Sequence, residues 1–494
     1  MATNLSVHIP DGLLDREFRM LINGELVAAE DGATMTSIDP ATGEELSQVP
    51  NASPGDVDKA VQAASAALPG WQKTDLVQRQ AVCLEIAKHL RDRQEDYALL
   101  DMLDTGSLLS GMRGDAGHAP VSIEHFVALS HEIKGEVTHR DKNLHYTQRE
   151  AFGVVARLVA FNHPLAGLAA ALAPPLLTGN CVILKPSPHT PLSGLALAQG
   201  IKDIAPPGVI NIITGDNERV AAPLLKHAGI RRVALTGSAE AGRRAMALAA
   251  ENLKTLTLEG GGKNPLIVFP DVDIEFATDI AIKGMNFKHQ SQSCASTSRI
   301  LVHDSIREEF TEQLVKKVGA LKAGLPSQPS SDLGAITHKA QYEKVIGYIE
   351  KGRADGARLR VGGDKPSAPE LSNGLFVNPA VFDQVRPEMA IAQEEIFGPV
   401  IAVMGWDDYD EMISIANNTL YGLTAVVLTN DLNQAIKTAN AMEAGYVEVN
   451  GAVSFAAGSP FGGVKQSGLG REGTLDELLS YTQVKSVNIN LSNN

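Results

Sequence analysis

Cys294 lies in the segment FKHQSQSCASTSR, where its neighbours are small and polar. A structural cysteine more often lies among apolar residues, where it acts as a small hydrophobic side chain. Cys181, at the start of an apparent strand, and Cys83, on an apparent helix, fit that structural description. Cys294 is therefore a candidate nucleophile, and a structural thiol is the alternative interpretation.

Glu259, in KTLTLEGGGKNP, ends a predicted strand and is followed by three glycines. A general base must be held near the proton that it removes, and glycines let the backbone come close to a ligand. Glu259 is therefore a candidate general base. The alternative is an exposed acid at the end of a strand.

In RRVALTGSAEAG a predicted strand runs into Gly237 and Ser238, and a helix begins near Ala239. Such a junction places free backbone N–H groups and the positive end of the helix where a phosphate can bind. Ser is also a common helix cap, so a tight turn with Ser238 as N-cap is the alternative.

These residues fall within two stretches where short apolar runs alternate with helix-like segments. Between residues 153 and 270 the runs are GVVARLVAF, NCVILKP, GVINIITG, RRVALTG and NPLIVF. Parallel strands need crossover connections, so the pattern predicts a doubly wound α/β domain. A second alternation, ending at YVEVN, predicts another α/β unit, and EIKGEVTHRDKNLHYTQRE predicts a β-hairpin outside both.

The composition is typical of a globular protein, and a length of 494 residues predicts at least two domains. The chain is 44% hydrophobic and 20% charged, with a net charge of -15, which disfavours nucleic acid and anionic membranes as partners. Three cysteines without C-x-x-C spacing indicate neither a disulfide framework nor a zinc site, so we expect no metal and a cytoplasmic location.

The motifs, taken together and in this order, resemble those of the aldehyde dehydrogenase superfamily over nearly the whole chain. The segments are FNHP at 161–164, GNCVILKPS at 179–187, PPGVINIITG at 206–215, LTGS at 235–238, LEGGGKNP at 258–265, QSCASTSR at 292–299, EEIFGPV at 394–400, NNTLYGL at 417–423 and PFGGVKQSGLGRE at 460–472.

This resemblance implies roles for individual residues. Cys294 matches the nucleophile, Glu259 the general base of the hydrolytic members, and Asn162 the amide that completes an oxyanion hole with the backbone N–H of Cys294. The implied cofactor is NAD or NADP, and the matching contacts are Val159, Phe161, Lys185, Ser187, Gly215, Gly237, Ser238, Gly261, Glu395 and Phe397.

The implied reaction is oxidation of an aldehyde to the carboxylic acid through a Cys294 thiohemiacetal and a thioester. Members that transfer the acyl group to coenzyme A lack the glutamate, so Glu259 favours the acid as product. Three alternatives remain: a coenzyme A-acylating semialdehyde dehydrogenase, a catalytically silent structural member, and a cysteine hydrolase that pairs Cys294 with a histidine.

Two departures from the family pattern bear on specificity. Pro188 stands where many NAD-preferring members carry a glutamate that repels a 2′-phosphate, so we expect either coenzyme to bind. Gly167 and Ala170 stand where many relatives carry bulky side chains, which suggests a wide entrance for a bulky or aromatic aldehyde, or a space refilled by other loops. The implied substrate pocket comprises Gly167, Ala170, Ser293 and Phe455.

The resemblance also implies a fold of two doubly wound α/β domains and a small β oligomerisation element. We expect a Rossmann-like dinucleotide-binding domain over 1–132 and 151–260 and a catalytic domain over 261–460. Residues 133–150 and 478–494 would form the oligomerisation hairpin and C-terminal strand of a homodimer or homotetramer.

Overall fold

The structure, a computed structural model, describes residues 9–140, 143–454 and 457–491. The strands of these residues are β1 (Met20–Ile22), β2 (Glu25–Val27), β3 (Thr34–Ile38), β4 (Glu45–Pro50), β5 (Val137–Arg140), β6 (Asn143–Ala151), β7 (Val154–Leu158), β8 (Cys181–Lys185), β9 (Ile210–Ile212), β10 (Ile230–Thr236), β11 (Thr255–Glu259), β12 (Pro265–Val268), β13 (Arg299–His303), β14 (Arg358–Val361), β15 (Ala380–Asp383), β16 (Val400–Trp406), β17 (Thr424–Leu428), β18 (Tyr446–Val449), β19 (Gly468–Leu469) and β20 (Thr482–Asn490).

Helices connect most of these strands. They are α1 (Pro54–Lys73), α2 (Leu76–Asp92), α3 (Gln94–Thr105), α4 (Leu109–Leu129), α5 (Pro164–Leu177), α6 (Leu192–Ile201), α7 (Ala222–Lys226), α8 (Ala239–Ala250), α9 (Ile274–Gly284), α10 (Asp304–Gly319), α11 (Lys339–Ala354), α12 (Ala390–Gln393), α13 (Tyr409–Asn417), α14 (Leu432–Ala441) and α15 (Leu475–Ser480). Among the described residues no helix combines the length and the apolar character needed to span a membrane.

The first sheet has the order β19-β11-β10-β7-β8-β9-β1-β2. Its five central strands, from β11 to β9, are parallel, and β19, β1 and β2 add antiparallel edges. Every residue of β7 and β8 is buried, because helices cover both faces of the sheet. The predicted doubly wound α/β class is confirmed.

The second sheet has the order β14-β15-β16-β13-β12-β17-β18 and is parallel except for β14. Successive side chains of a strand point to opposite faces. Leu266 and Val268 of β12 therefore pack in one apolar cluster, while Ile267 between them packs in another. The second sheet thus has a core on each face.

The chain passes from the first sheet to the second between Glu259, which ends β11, and Pro265, which begins β12. Asn264 fixes this crossing: its Nδ2 donates to the carbonyl oxygens of Cys294 and Ser296, at 2.7 and 3.0 Å, and its Oδ1 accepts from the N–H of Thr424 at 3.0 Å. Glu259 and the Cys294 loop are therefore held together at the junction of the two sheets.

A third sheet lies apart from these two, in the order β20-β6-β5. The segment predicted to form a hairpin forms β5 and β6, which pair antiparallel. The C-terminal β20 pairs with β6 from Thr482 opposite Ala151 to Asn490 opposite Asn143. Strands β3 and β4 form a separate two-stranded sheet.

Candidate active site

Cys294 lies in the loop that precedes β13 and is half-buried. Two side-chain amides hold this loop from opposite sides: the Nδ2 of Asn162 donates to the carbonyl of Gln292 at 2.9 Å, and that of Asn264 donates to the carbonyl of Cys294 itself. The backbone that carries the thiol is thus held at Gln292 and at Cys294.

The backbone before Cys294 is also unusual. Gln290 and Ser291 both have left-handed conformations, with φ of 52° and 56°, which non-glycine residues rarely adopt. The side chain of Gln292 keeps this turn in place by donating to Thr337 at 3.1 Å and accepting from the Thr337 N–H at 3.2 Å. A backbone constrained in this way is common at functional sites.

The side chain of Glu259 is buried, and neither carboxylate oxygen has a hydrogen-bond partner among the described residues. Burial raises the pKa of this carboxyl, and the nearby Glu472 raises it further. Burial also raises the pKa of Cys294, to about 12, and Glu395 and Glu259 add to the rise. Both groups therefore hold their protons firmly in this cavity.

One cavity of about 550 Å³ contains Cys294, Glu259 and Asn162. Most of the predicted cofactor contacts line the same cavity: Val159, Phe161, Lys185, Ser187, Gly237, Ser238, Gly261, Glu395 and Phe397. Pro188 also lines it, whereas Gly215 does not. The structure thus brings together residues that are far apart in the sequence.

The residues predicted to form the substrate pocket do not all line this cavity. Gly167 lines the cavity, whereas Ala170 and Ser293 are not among its lining residues, and Phe455 lies outside the described residues. A Cβ on Gly167 would lie 2.6 Å from Val159 Cγ1, so Val159 occupies the space beside this glycine. Part of the volume that Gly167 leaves free is therefore filled.

The part of the cavity lined by Lys185 and Ser238 suits a dinucleotide. Lys185, at the end of β8, is buried, and among the described residues its Nζ donates only to the carbonyl of Pro186, at 3.3 Å. Burial lowers the pKa of Lys185 to about 8. Ser238 caps α8, and its Oγ accepts from the N–H of Ala241 at 3.1 Å, which leaves a helix N-terminus facing the cavity. An ammonium donor and a helix N-terminus match hydroxyl and diphosphate groups.

Comparisons with known proteins place the chain in one family. The sequence pattern of the aldehyde dehydrogenase family matches residues 26–487. The chain belongs to the aldehyde dehydrogenase family. The predicted enzyme class is thereby confirmed: the protein is an NAD(P)-dependent aldehyde dehydrogenase, which oxidises an aldehyde to the carboxylic acid.

Individual members of the family resemble this dehydrogenase over nearly its full length. Aldehyde dehydrogenase tropH of Talaromyces stipitatus is 41% identical over 463 residues, which are 92% of this chain and 90% of that protein. The NAD⁺ complex of an aldehyde dehydrogenase from Bacillus cereus is 35% identical, with a TM-score of 0.95, 99% of this chain covered and 100% of that one. Betaine aldehyde dehydrogenase from Staphylococcus aureus, also solved with NAD⁺, is 32% identical, with a TM-score of 0.95 and coverage of 98% and 97%.

Glu395 lies against the glycine segment of the dehydrogenase. Its Oε1 accepts from the N–H of Gly262 at 3.0 Å, and a Cβ on Gly261 would lie only 1.9 Å from this oxygen. Residue 261 must therefore lack a side chain for Glu395 to reach its place. Burial raises the pKa of Glu395, while Lys344 opposes the rise.

An aromatic cluster beside Phe397 escaped prediction from the sequence. The rings of His189 and His338 are stacked with centroids 3.8 Å apart, and Phe161 packs edge-on against His338 at 5.1 Å and against Phe397 at 5.6 Å. His189 and His338 both line the cavity of the dehydrogenase. No local motif marks His338, because the fold alone brings it to this cluster.

Proposed function

We propose that Cys294 is the nucleophile of this dehydrogenase, that Asn162 stabilises the oxyanion and that Glu259 activates the hydrolytic water. The observation that carries the proposal is the single cavity that all three share with the predicted cofactor contacts. Deeply placed polar groups that converge on one cavity are typical of catalytic sites.

The reaction begins when the Cys294 thiol loses its proton to water, and the resulting thiolate adds to the aldehyde. An S–C bond forms, and the carbonyl π electrons move to oxygen, which becomes an oxyanion. Asn162 Nδ2 uses one N–H on the carbonyl of Gln292, so its second N–H is free to donate to that oxyanion beside the Cys294 backbone N–H.

Bound NAD(P) supplies the acceptor for the hydride that the tetrahedral carbon loses. Cys294 then holds the acyl group as a thioester. Glu259 removes a proton from a water molecule, the water oxygen adds to the acyl carbon, and the C–S bond breaks to give the acid and the Cys294 thiolate. The two unpartnered oxygens of Glu259 leave it free to bind that water.

The proposal includes the use of either NAD or NADP. Pro188, which lines the cavity near Lys185 and Ser187, has no carboxylate that would repel a 2′-phosphate. The Lys185 ammonium has three N–H donors and uses one on the carbonyl of Pro186, so the others can donate to a ribose hydroxyl or to the 2′-phosphate.

The proposed substrate is a bulky or aromatic aldehyde. The glycine at position 167, which lines the cavity, supports this class, although Val159 takes up part of the space beside it. The pocket is proposed to involve Gly167, Ala170, Ser293 and Phe455.

We further propose a cytoplasmic homodimer or homotetramer with the domain boundaries expected from the sequence. The third sheet supports an oligomerisation role for residues 133–150 and 478–494, since it stands apart from the two large sheets. The dinucleotide-binding domain then comprises 1–132 and 151–260, and the catalytic domain 261–460.

The test is a panel of aliphatic, aromatic, amino- and semialdehydes, each with NAD and with NADP, followed at the absorbance of the reduced nicotinamide. We expect reduction by the native protein, none by Cys294→Ala, and one rapid turnover followed by slow hydrolysis for Glu259→Gln. Steady turnover by Cys294→Ala would overturn the assigned nucleophile. Product formation that requires coenzyme A would favour the acylating alternative. Hydrolysis of an ester or amide without NAD(P) would favour the cysteine hydrolase.

A further inference from the structure

Three residues from separate elements meet beside the catalytic cavity. Asp115 lies on α4, His163 directly follows Asn162, and His289 lies in the short helical turn Phe287–His289. One ring nitrogen of each histidine and one carboxylate oxygen of Asp115 all lie within 4.8 Å of one another. Two imidazoles and a carboxylate are a ligand set that zinc and similar divalent ions accept.

The burial of His289 is a second, independent indication of a ligand site. Its side chain is only 6% exposed, and its Nδ1 has no hydrogen-bond partner among the described residues. A buried polar nitrogen without a partner is costly, and such groups are rare in folded proteins. His289 belongs to the cluster that contains His163 and Asp115, and its imidazole centroid lies 4.5 Å from that of His163.

The other two residues are already held in place. His163 Nδ1 and Asp115 Oδ2 form a hydrogen bond of 2.7 Å between residues 48 positions apart in the sequence. This contact keeps the two side chains next to each other, and an ion that bound both would take the place of the proton they share. Zinc ligands lie about 2.0–2.2 Å from the ion, so small side-chain rotations would bring the three atoms into one coordination sphere.

We propose that Asp115, His163 and His289 bind one divalent transition-metal ion of the zinc class. The fourth position of a tetrahedral ion would remain open to water or another small ligand. Because His163 lines the cavity that contains Cys294, the site lies at the wall of that cavity. The absence of a cysteine pair had indicated no metal site, but this ligand set needs no cysteine.

The site is tested by equilibrium dialysis of the full-length protein against Zn²⁺, and by the visible absorption of bound Co²⁺. The native protein and Cys294→Ala should each bind one ion per chain, with no thiolate-to-metal charge-transfer band from Co²⁺. Asp115→Asn and His289→Asn each lose a direct ligand, so they should bind at least about 10-fold more weakly, the lower limit for loss of even an outer partner. His118→Asn is the matched control, since this exposed histidine lies on the same helix and should leave binding unchanged.

Asp115→Asn keeps the size of a partly exposed side chain, so it tests the site even if His289→Asn fails to fold. Loss of binding in Cys294→Ala would place the ion on the thiol and overturn the proposal. Native-like binding by folded Asp115→Asn and His289→Asn would overturn it as well, and so would the absence of stoichiometric binding by the native protein.

Discussion

At the scale of single residues, the proposed nucleophile and base lie in surroundings that oppose their charged forms. Burial raises the pKa of Cys294 and of Glu259. Glu472 adds to the rise for Glu259, and Glu395 and Glu259 add to it for Cys294. Both groups act after losing a proton. Protonation therefore controls how much of the protein is ready to react at a given pH.

We accordingly expect kcat to rise from neutral into alkaline pH. A raised pKa means that the active, deprotonated fraction of Glu259 grows as the pH increases through the alkaline range. Single-turnover measurements of thioester hydrolysis should show the rise for the native protein and a flatter profile for Glu259→Gln. A native rate that is flat or falls above neutral pH would contradict the assignment of Glu259.

Replacement of Asn162 tests the oxyanion hole. Asn162→Ala removes a donor that is needed only when negative charge develops on oxygen, so kcat/KM should fall by about 100- to 1,000-fold. Coenzyme binding, measured by titration calorimetry, should change little, since the proposed contacts to the dinucleotide lie elsewhere. A loss confined to coenzyme affinity would contradict this role.

The residues could be predicted to different extents from the sequence. Cys294 and Glu259 lie in local segments that mark them as candidate catalytic residues. The structure places both in one cavity with Asn162. The effect of Gly167 could not be foreseen, because Val159 fills the neighbouring space only once β7 and α5 have packed. The contact of His163 with Asp115 was equally hidden, since it depends on how α4 lies against the start of α5.

At the scale of elements, the edge of the first sheet near Glu259 contains a partly buried ion pair. Arg157 of β7 donates to Glu472 at 2.9 Å, and its side chain is 5% exposed. The adjacent β19 pairs with the end of β11, where Glu259 lies opposite Gly468. Residues 468–473 read GLGREG and so match the dinucleotide-binding pattern G-x-G-x-x-G, but they contribute a strand edge and a carboxylate rather than a phosphate loop.

Loss of this pair should destabilise the fold. Arg157→Met leaves Glu472 without its cation next to other acids. Because the carboxylate is partly exposed, the loss should cost about 1 to 3 kcal/mol, less than for a fully buried pair. Denaturant unfolding should show the loss as a lower midpoint. Lys88→Met, which removes an exposed pair with Asp92, is the control and should leave the midpoint unchanged. Equal midpoints for the two variants would contradict the role of Arg157.

The strand pattern of the elements was largely predictable. The run NCVILKP, for example, contains β8, in which every residue is buried. A parallel strand covered by helices on both faces needs apolar residues in succession, so its pattern is easy to see in the sequence. NPLIVF, however, was indistinguishable by pattern from the runs before it, although it forms β12 of the second sheet. Sheet membership depends on the crossing between residues 259 and 265, which apolar periodicity does not reveal.

At the scale of the whole molecule, the third sheet presents apolar side chains to solvent. Val484 and Ile489 of β20 are exposed, and so is Val137 of β5. Exposed apolar residues on the edge strands of a sheet favour association with another chain. This feature supports the proposed homo-oligomer.

Acidic substitutions on β20 should therefore weaken the assembly. Val484→Asp combined with Ile489→Asp places charge in the proposed interface, and light scattering should show a shift toward the monomer mass. Leu432→Asp, at an exposed apolar position on α14, is the matched control and should keep the native mass. An unchanged mass for the β20 variant would place the interface elsewhere.

The burial of two of the three thiols has a practical consequence. Cys83 and Cys181 are 1% and 0% exposed within the core of the first sheet, whereas Cys294 opens onto the cavity. A slow alkylating reagent applied to the folded protein should therefore add one label per chain. The labelled fraction, read by intact-mass spectrometry, would count the competent active centres in any preparation, without a substrate in hand.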